Sequence, residues 1–191
     1  RKKYLSTLIP INLNEYKWIK SKIRNNYLKS STNDENMNFV YTLAKKLKIS
    51  DNSFIKSMNS FKGLFHRYEI FLKKHGVTFI NDSKATSLQS SKFALASSKN
   101  IYWIVGGLPK VKDKIDLNDV KNNIIKSYII GKNISFFKKQ LENKVKFTIN
   151  KTLRNAVISI LKEIELSNNK KNVILLSPGA ASFDQYKNFE E

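Results

Sequence analysis

Cysteine is absent from all 191 residues, so neither a disulfide framework nor a thiolate metal site can form, and a reducing compartment is compatible with the chain. No apolar run approaches the roughly eighteen residues that a membrane span needs, and the amino end carries no signal-peptide pattern. A soluble, cytoplasmic protein without membrane insertion is therefore expected. Acidic residues are scarce: 15 Asp and Glu stand against 35 Lys and Arg, a formal net charge of +20. Such an excess ordinarily raises nucleic acid as a partner. Here the lysines are scattered through every segment beside abundant Asn and Ile instead of being gathered on one helix. That distribution suits a compositional bias toward AT-rich codons and a solvated basic surface, so no specific nucleic acid is expected. The phosphate-binding loop G-x-x-x-x-G-K-[ST] occurs nowhere. Internal repeats and low-complexity linkers are lacking too.

A length of 191 residues accommodates one full domain and part of another. The chain opens on Arg1 and closes inside a helix-like stretch, Asp184 to Glu191, so a piece of a longer protein is expected. Residues 1 to 30 carry two short alternations, Tyr4 to Ile11 and Tyr16 to Ile23, the second readable as helix or strand. From Asn33 to Lys48, Met37, Val40, Tyr41, Ala44 and Leu47 recur at helical spacing, with Asn33 or Asp34 as N-cap. A short helix follows over Ser53 to Ser60, its start marked by Ser50-Asp51-Asn52. Gly63 then leads into Leu64-Phe65-His66-Arg67, a domain hinge.

From Tyr68 onward the pattern turns to alternating strands and helices. Tyr68 to Leu72 and Val77 to Ile80 flank Lys73-Lys74-His75-Gly76, a hairpin signal that makes His75 a turn residue. Helices are expected over 88–97, 117–125, 134–141 and 152–166. Strands are expected over 101–105, 127–130, 146–149 and 173–176. This alternation argues for βαβ units with right-handed crossovers.

The stretch with most chemistry is Phe79-Ile80-Asn81-Asp82-Ser83-Lys84-Ala85-Thr86. An apolar strand stops in a polar cluster that enters a helix, and loops leaving the carboxyl ends of strands form the ligand crevice of an open α/β sheet. Thr86 with Gln89 forms a capping-box pattern, which puts a hydroxyl and free N–H groups at a helix start favourable to an anion. Two later strand ends repeat that character. Ile101 to Val105 runs into Gly106-Gly107-Leu108-Pro109-Lys110, and Val173 to Leu176 runs into Ser177-Pro178-Gly179-Ala180-Ala181, followed by a second capping-box pair, Ser182 and Gln185. Glycines admit close backbone approach and a lysine supplies a point charge. Ordinary turns and caps would use the same residue types, but three such loops together favour one anion site.

Four blocks in order, Phe61 to Glu69, Phe79 to Thr86, Gly106-Gly107 with Lys110, and Leu175-Leu176-Ser177-Pro178 running on from Ala181 through Glu190, resemble the carboxyl-terminal half of a Mur ligase. The resemblance covers about Asn33 to Glu191. It implies an α/β fold, with a Rossmann-like carboxyl-terminal domain over 64–191 whose mostly parallel sheet is flanked by helices, preceded over 1–63 by the tail of the central ATPase domain. It also implies an ATP- and Mg-dependent amide ligase of peptidoglycan synthesis that adds D-glutamate to UDP-N-acetylmuramoyl-L-alanine through an acyl phosphate, working as a cytoplasmic monomer. By the same resemblance Thr86, Lys110, Ser182 and Phe189 hold D-glutamate, while Asn36, Arg67, Asp82 and Lys84 contact the nucleotide. No metal ligand and no catalytic residue is carried over, because the P-loop and the metal ligands belong to segments that this chain lacks. These 191 residues alone are accordingly not expected to catalyse ligation. Two departures stand out: Thr32 replaces the His of a His-Asn-x-x-Asn pattern, and Gly179-Ala180 stands where a cysteine is usual. Two alternatives remain, a sister Mur or folylpolyglutamate ligase taking another amino acid and a non-catalytic basic binding module.

Overall fold

The computed structural model describes residues 13–29, 33–110, 113–167 and 169–188. The alternation at Tyr4 to Ile11, Thr32 and Phe189 lie outside them. Two compact units emerge, Arg1–Gly63 and Leu64–Glu191.

The first unit is helical: α1 (Leu13–Lys22), α2 (Asn26–Lys29), α3 (Asp34–Lys46) and α4 (Asp51–Ser60). Tyr16, Ile19, Ile23, Met37, Tyr41, Ala44 and Phe54 meet in one core. The Tyr16 to Ile23 alternation thus resolves as helix. Val40 and Leu47, expected on the buried face of α3, are exposed, and Asn38 is buried in their place. Its side chain donates to the Asp34 carbonyl one turn earlier. Ser50 caps α4 by accepting from the Ser53 amide, whereas Asn33 occupies the N-cap position of α3 without a side-chain cap and donates to the Tyr27 carbonyl.

The second unit is an α/β layer structure. Its strands are β1 (Glu69–Lys74), β2 (Val77–Asn81), β3 (Ile101–Gly106), β4 (Ile124–Ile130), β5 (Phe147–Lys151) and β6 (Asn172–Leu176), interleaved with α5 (Leu88–Ala96), α6 (Ile134–Leu141) and α7 (Leu153–Glu165). The sheet order is β1-β2-β6-β3-β4-β5. Only the β1/β2 pair is antiparallel. That hairpin turns through His75 and Gly76, both at positive φ (48° and 77°), the type I′ pattern matching strand twist.

Side chains of β3 sort by the period of two. Ile101, Trp103 and Val105 enter the core under α5 and α6, while Tyr102 and Ile104 enter the core under α7. All six residues of β3 are buried, which is why the strand reads as a continuous apolar run. Each large side chain fully buried this way contributes about 1.5–3 kcal/mol.

One expected helix does not form. Residues 118–120 make a turn and Lys121–Asn123 a single 3-10 turn, and β4 begins at Ile124. Ile124 is claimed by pairing with Ile101. The buried Asn123 side chain is held by the Leu95 carbonyl and the Lys99 ammonium, so the helical spacing of Leu117, Val120 and Ile124 arises from a loop folded onto the core.

Candidate functional site

The strand order fixes where a ligand can lie. The chain leaves β2, skips one position to β3, continues outward to β5, and returns through α7 to place β6 between β2 and β3. The crossover direction reverses there, so the carboxyl ends of β2, β6 and β3 flank a switch-point crevice.

The three loops at these ends interlock through their backbones. Gly179 N donates to the Ala85 carbonyl at 2.9 Å, and Gly106 N donates to the Pro178 carbonyl at 3.0 Å. Leu108 and Ala181 exchange both bonds, at 2.7 and 3.2 Å, as an isolated antiparallel bridge. Gly107 permits this approach: a Cβ there would lie 2.4 Å from the Ala181 carbonyl oxygen. Thr86, Lys110 and Ser182 therefore ride on loops welded to one another. Thr86 and Ser182 are half-buried and Lys110 is exposed.

The capping differs from the sequence expectation in both loops. Ser87, not Thr86, is the N-cap of α5, accepting from Ser90 N at 3.2 Å. The Thr86 hydroxyl has no hydrogen-bond partner among the described residues. At the other loop the Ser182 carbonyl, not its hydroxyl, accepts from Gln185 N and Tyr186 N. The result is a turn over 183–185 with no helix among residues 182–188. A short polar side chain next to an apolar run marks a cap in sequence, but the backbone direction decides which of two neighbours serves.

A second cluster surrounds Asp82. Its Oδ1 accepts from Tyr68 N at 3.0 Å, its Oδ2 accepts from the Ser177 hydroxyl at 2.7 Å, and its own amide donates to the Leu176 carbonyl. Burial pushes the Asp82 carboxyl above the ordinary carboxylate range, while Ser177, the Tyr68 amide and the charge of Arg67 each pull it back. Lys84 N donates to the His66 carbonyl, and the His66 ring meets the Asn81 amide at 2.9 Å. Arg67, Asp82 and Lys84 are thereby gathered in one neighbourhood. Asn36 belongs to the helical unit, exposed on α3.

Several residues that build the site were missed in the sequence. Ser177 is fully buried, and its carbonyl takes the Trp103 indole N–H at 2.8 Å and the Ser91 hydroxyl at 3.2 Å. Asp184 accepts from Lys132 N at 2.7 Å, and Asn133 donates to the Gly107 carbonyl at 2.9 Å, tying the loop after β4 to the loops after β6 and β3. Asp113 accepts from Leu88 N. Each partner lies at least 25 positions away in sequence, beyond the reach of local pattern.

A cavity of about 640 Å³ opens at the opposite ends of the strands, among Lys73, Lys74, His75, Lys99, Lys171 and Asn172. The carboxyl ends of α5 and α7 point to that side, and cations near helix carboxyl ends offset the macrodipole. Lys99 there is engaged by Asn123, and the crevice at the carboxyl ends of the strands, where the interlocked loops meet, is the candidate site.

No protein-family model matches the chain. Among solved structures, MurF from Acinetobacter baumannii shares the fold with a TM-score of 0.61 at 17% identity, over 82% of this chain and 36% of that one. The chain is 39% identical to a UDP-N-acetylmuramoylalanine–D-glutamate ligase of Wolbachia sp. subsp. Brugia malayi (strain TRS), over 93% of this chain and 37% of the relative. It is 38% identical to the enzyme of the same name from Agrobacterium fabrum, over 85% of this chain and 35% of the relative. The chain belongs to the Mur ligase family. Within it, these relatives are UDP-N-acetylmuramoylalanine–D-glutamate ligases, of whose length the chain spans a little over a third.

Proposed function

We propose that the chain is the part of an ATP-dependent amide ligase that presents D-glutamate to UDP-N-acetylmuramoyl-L-alanine in peptidoglycan synthesis, and that the enzyme works in the cytoplasm as a monomer. Residues 1–63 are then the end of the central ATP-binding domain, and residues 64–191 the carboxyl-terminal domain. The interlocking of the three loops that carry Thr86, Lys110 and Ser182 is the observation that carries this reading.

In this account Thr86, Lys110 and Ser182, together with Phe189, hold the two carboxylates of the amino acid. Lys110 supplies the ammonium, and the Thr86 and Ser182 hydroxyls supply directional donors. Asp82 and Arg67 face the nucleotide, the carboxylate toward ribose hydroxyls and the guanidinium toward adenine or phosphate, with Lys84 and Asn36 as further contacts. Asp82 already accepts two hydrogen bonds, yet a carboxylate has about four lone-pair sites, so two remain for a ribose. ATP, when bound, supplies the phosphoryl group that activates the acceptor carboxylate.

The magnesium that accompanies it fits poorly here. Among the described residues no group of three or more His, Cys, Asp or Glu could hold a metal ion. This chain's share of the chemistry is binding and orientation, which convert a bimolecular attack into a positioned one.

Titrating D-glutamate, L-glutamate and D-aspartate into the chain tests the substrate class. D-glutamate is expected to bind tightest, and Lys110→Ala to weaken it about tenfold while leaving ATP within about twofold, as loss of a charged hydrogen bond on one ligand requires. Equal weakening of both ligands, or preference for another amino acid, contradicts the reading.

A further inference from the structure

Asp113 is a carboxylate beside a site read as binding carboxylates, and its charge repels theirs. Its contacts give it another task. Its Oδ2 accepts from Leu88 N at 3.0 Å, the first residue of α5 and two positions beyond Thr86. Its own amide donates to the Lys110 carbonyl at 3.1 Å. One half-buried residue thus joins the backbone of the lysine loop to the helix start that follows the threonine. The third loop meets the same point: Gly179 N bonds the Ala85 carbonyl, and a Cβ on Gly179 would lie 2.8 Å from Leu88 Cδ2.

We propose that Asp113 is a positioning residue for the amino-acid site, fixing the spacing between Lys110 and Thr86 without touching the ligand. The proposal rests on the D-glutamate reading above. Geometry is what Asp113 supplies, so its charge is dispensable and its acceptor oxygen is not. Asn retains an oxygen that can accept from Leu88 N and removes a negative charge from the neighbourhood of an anion. Ala retains neither.

The test is D-glutamate titration by 15N-1H NMR into the 191-residue chain and its Asp113→Asn and Asp113→Ala variants, with backbone order at Lys110 and amide exchange at Leu88 recorded on the same samples. D113A is expected to weaken D-glutamate about fivefold or more, the effect of one lost hydrogen bond, with faster exchange at Leu88 and a less ordered Lys110. D113N is expected to bind at least as tightly as the parent and to keep both backbone signals. The proposal is overturned if D113A binds within about twofold of the parent, or if D113N is as impaired as D113A. A parent chain that shows no D-glutamate response, while D113A alone still loosens Lys110, removes the ligand assignment and leaves the tether. A parent that binds D-glutamate with Lys110 order indifferent to both substitutions removes the tether and leaves the ligand.

Discussion

The hydroxyl of Ser177 donates to Oδ2 of Asp82 at 2.7 Å, joining the end of β6 to the end of β2 across 95 positions of sequence. The bond lies under the candidate site and links the sheet core, through Trp103, to the loop expected to meet the nucleotide.

Ser177→Ala leaves a largely buried carboxylate one donor short. A loss of about 1–3 kcal/mol at neutral pH is expected, smaller in acid, where a protonated Asp82 needs the donor less. Urea unfolding at two pH values checks it.

The direction of the Asp82 shift fixes a pH dependence. Its folded pKa is raised above the unfolded value by burial. The folded state therefore holds the proton more tightly, and the associated stability is full below the ordinary carboxylate value of about 4 and is lost as pH rises through the folded pKa. Asp82→Asn is expected to flatten this part of the stability profile, and Ser177→Ala to extend the loss to higher pH. Denaturant midpoints measured in steps upward from about pH 4 read both. A fall in stability on acidification through that range, attributable to Asp82 by the Asn variant, contradicts the assignment.

Gly107 sits at φ 134°, and any Cβ there runs into the Ala181 carbonyl. Gly107→Ala should cost about 2 kcal/mol or more through strain and separation of the loops. D-glutamate affinity should fall with it. Thermal unfolding and NMR titration of the same sample report the two effects together.

His75 occupies the first central position of the hairpin at positive φ, which an ordinary side chain resists and Asn tolerates. His75→Asn turns this into an Asn-Gly turn and is expected to stabilise the second unit by about 0.5–1 kcal/mol. Calorimetry should show a higher unfolding temperature with D-glutamate binding unaltered.

Much of this architecture was legible in local pattern. The apolar run Ile101 to Val105 reads as a strand and forms one, and the helices over Ile134–Leu141 and Leu153–Glu165 stand where periodicity puts them. The three loops at the strand ends were legible as loops, and the structure interlocks them through their backbones. What escaped was set by distant partners. Ser177 reads as a turn residue until Asp82 is beside it, and Asp113 reads as surface until α5 is above it. The helix expected at 117–125 failed for the same reason: Ile124 pairs with Ile101, and no window of local sequence records that competition.

The central claim is that Thr86, Lys110 and Ser182 surround one dicarboxylic amino acid, and mapping D-glutamate onto the 15N-1H spectrum of the chain tests it most directly. Shifts confined to residues 85–88, 106–110 and 179–185, saturating together with one affinity, are what the interlocked loops require. Shifts gathered instead around Lys73, Lys99 and Lys171 at the far ends of the strands, or loops that respond with different affinities, would contradict it.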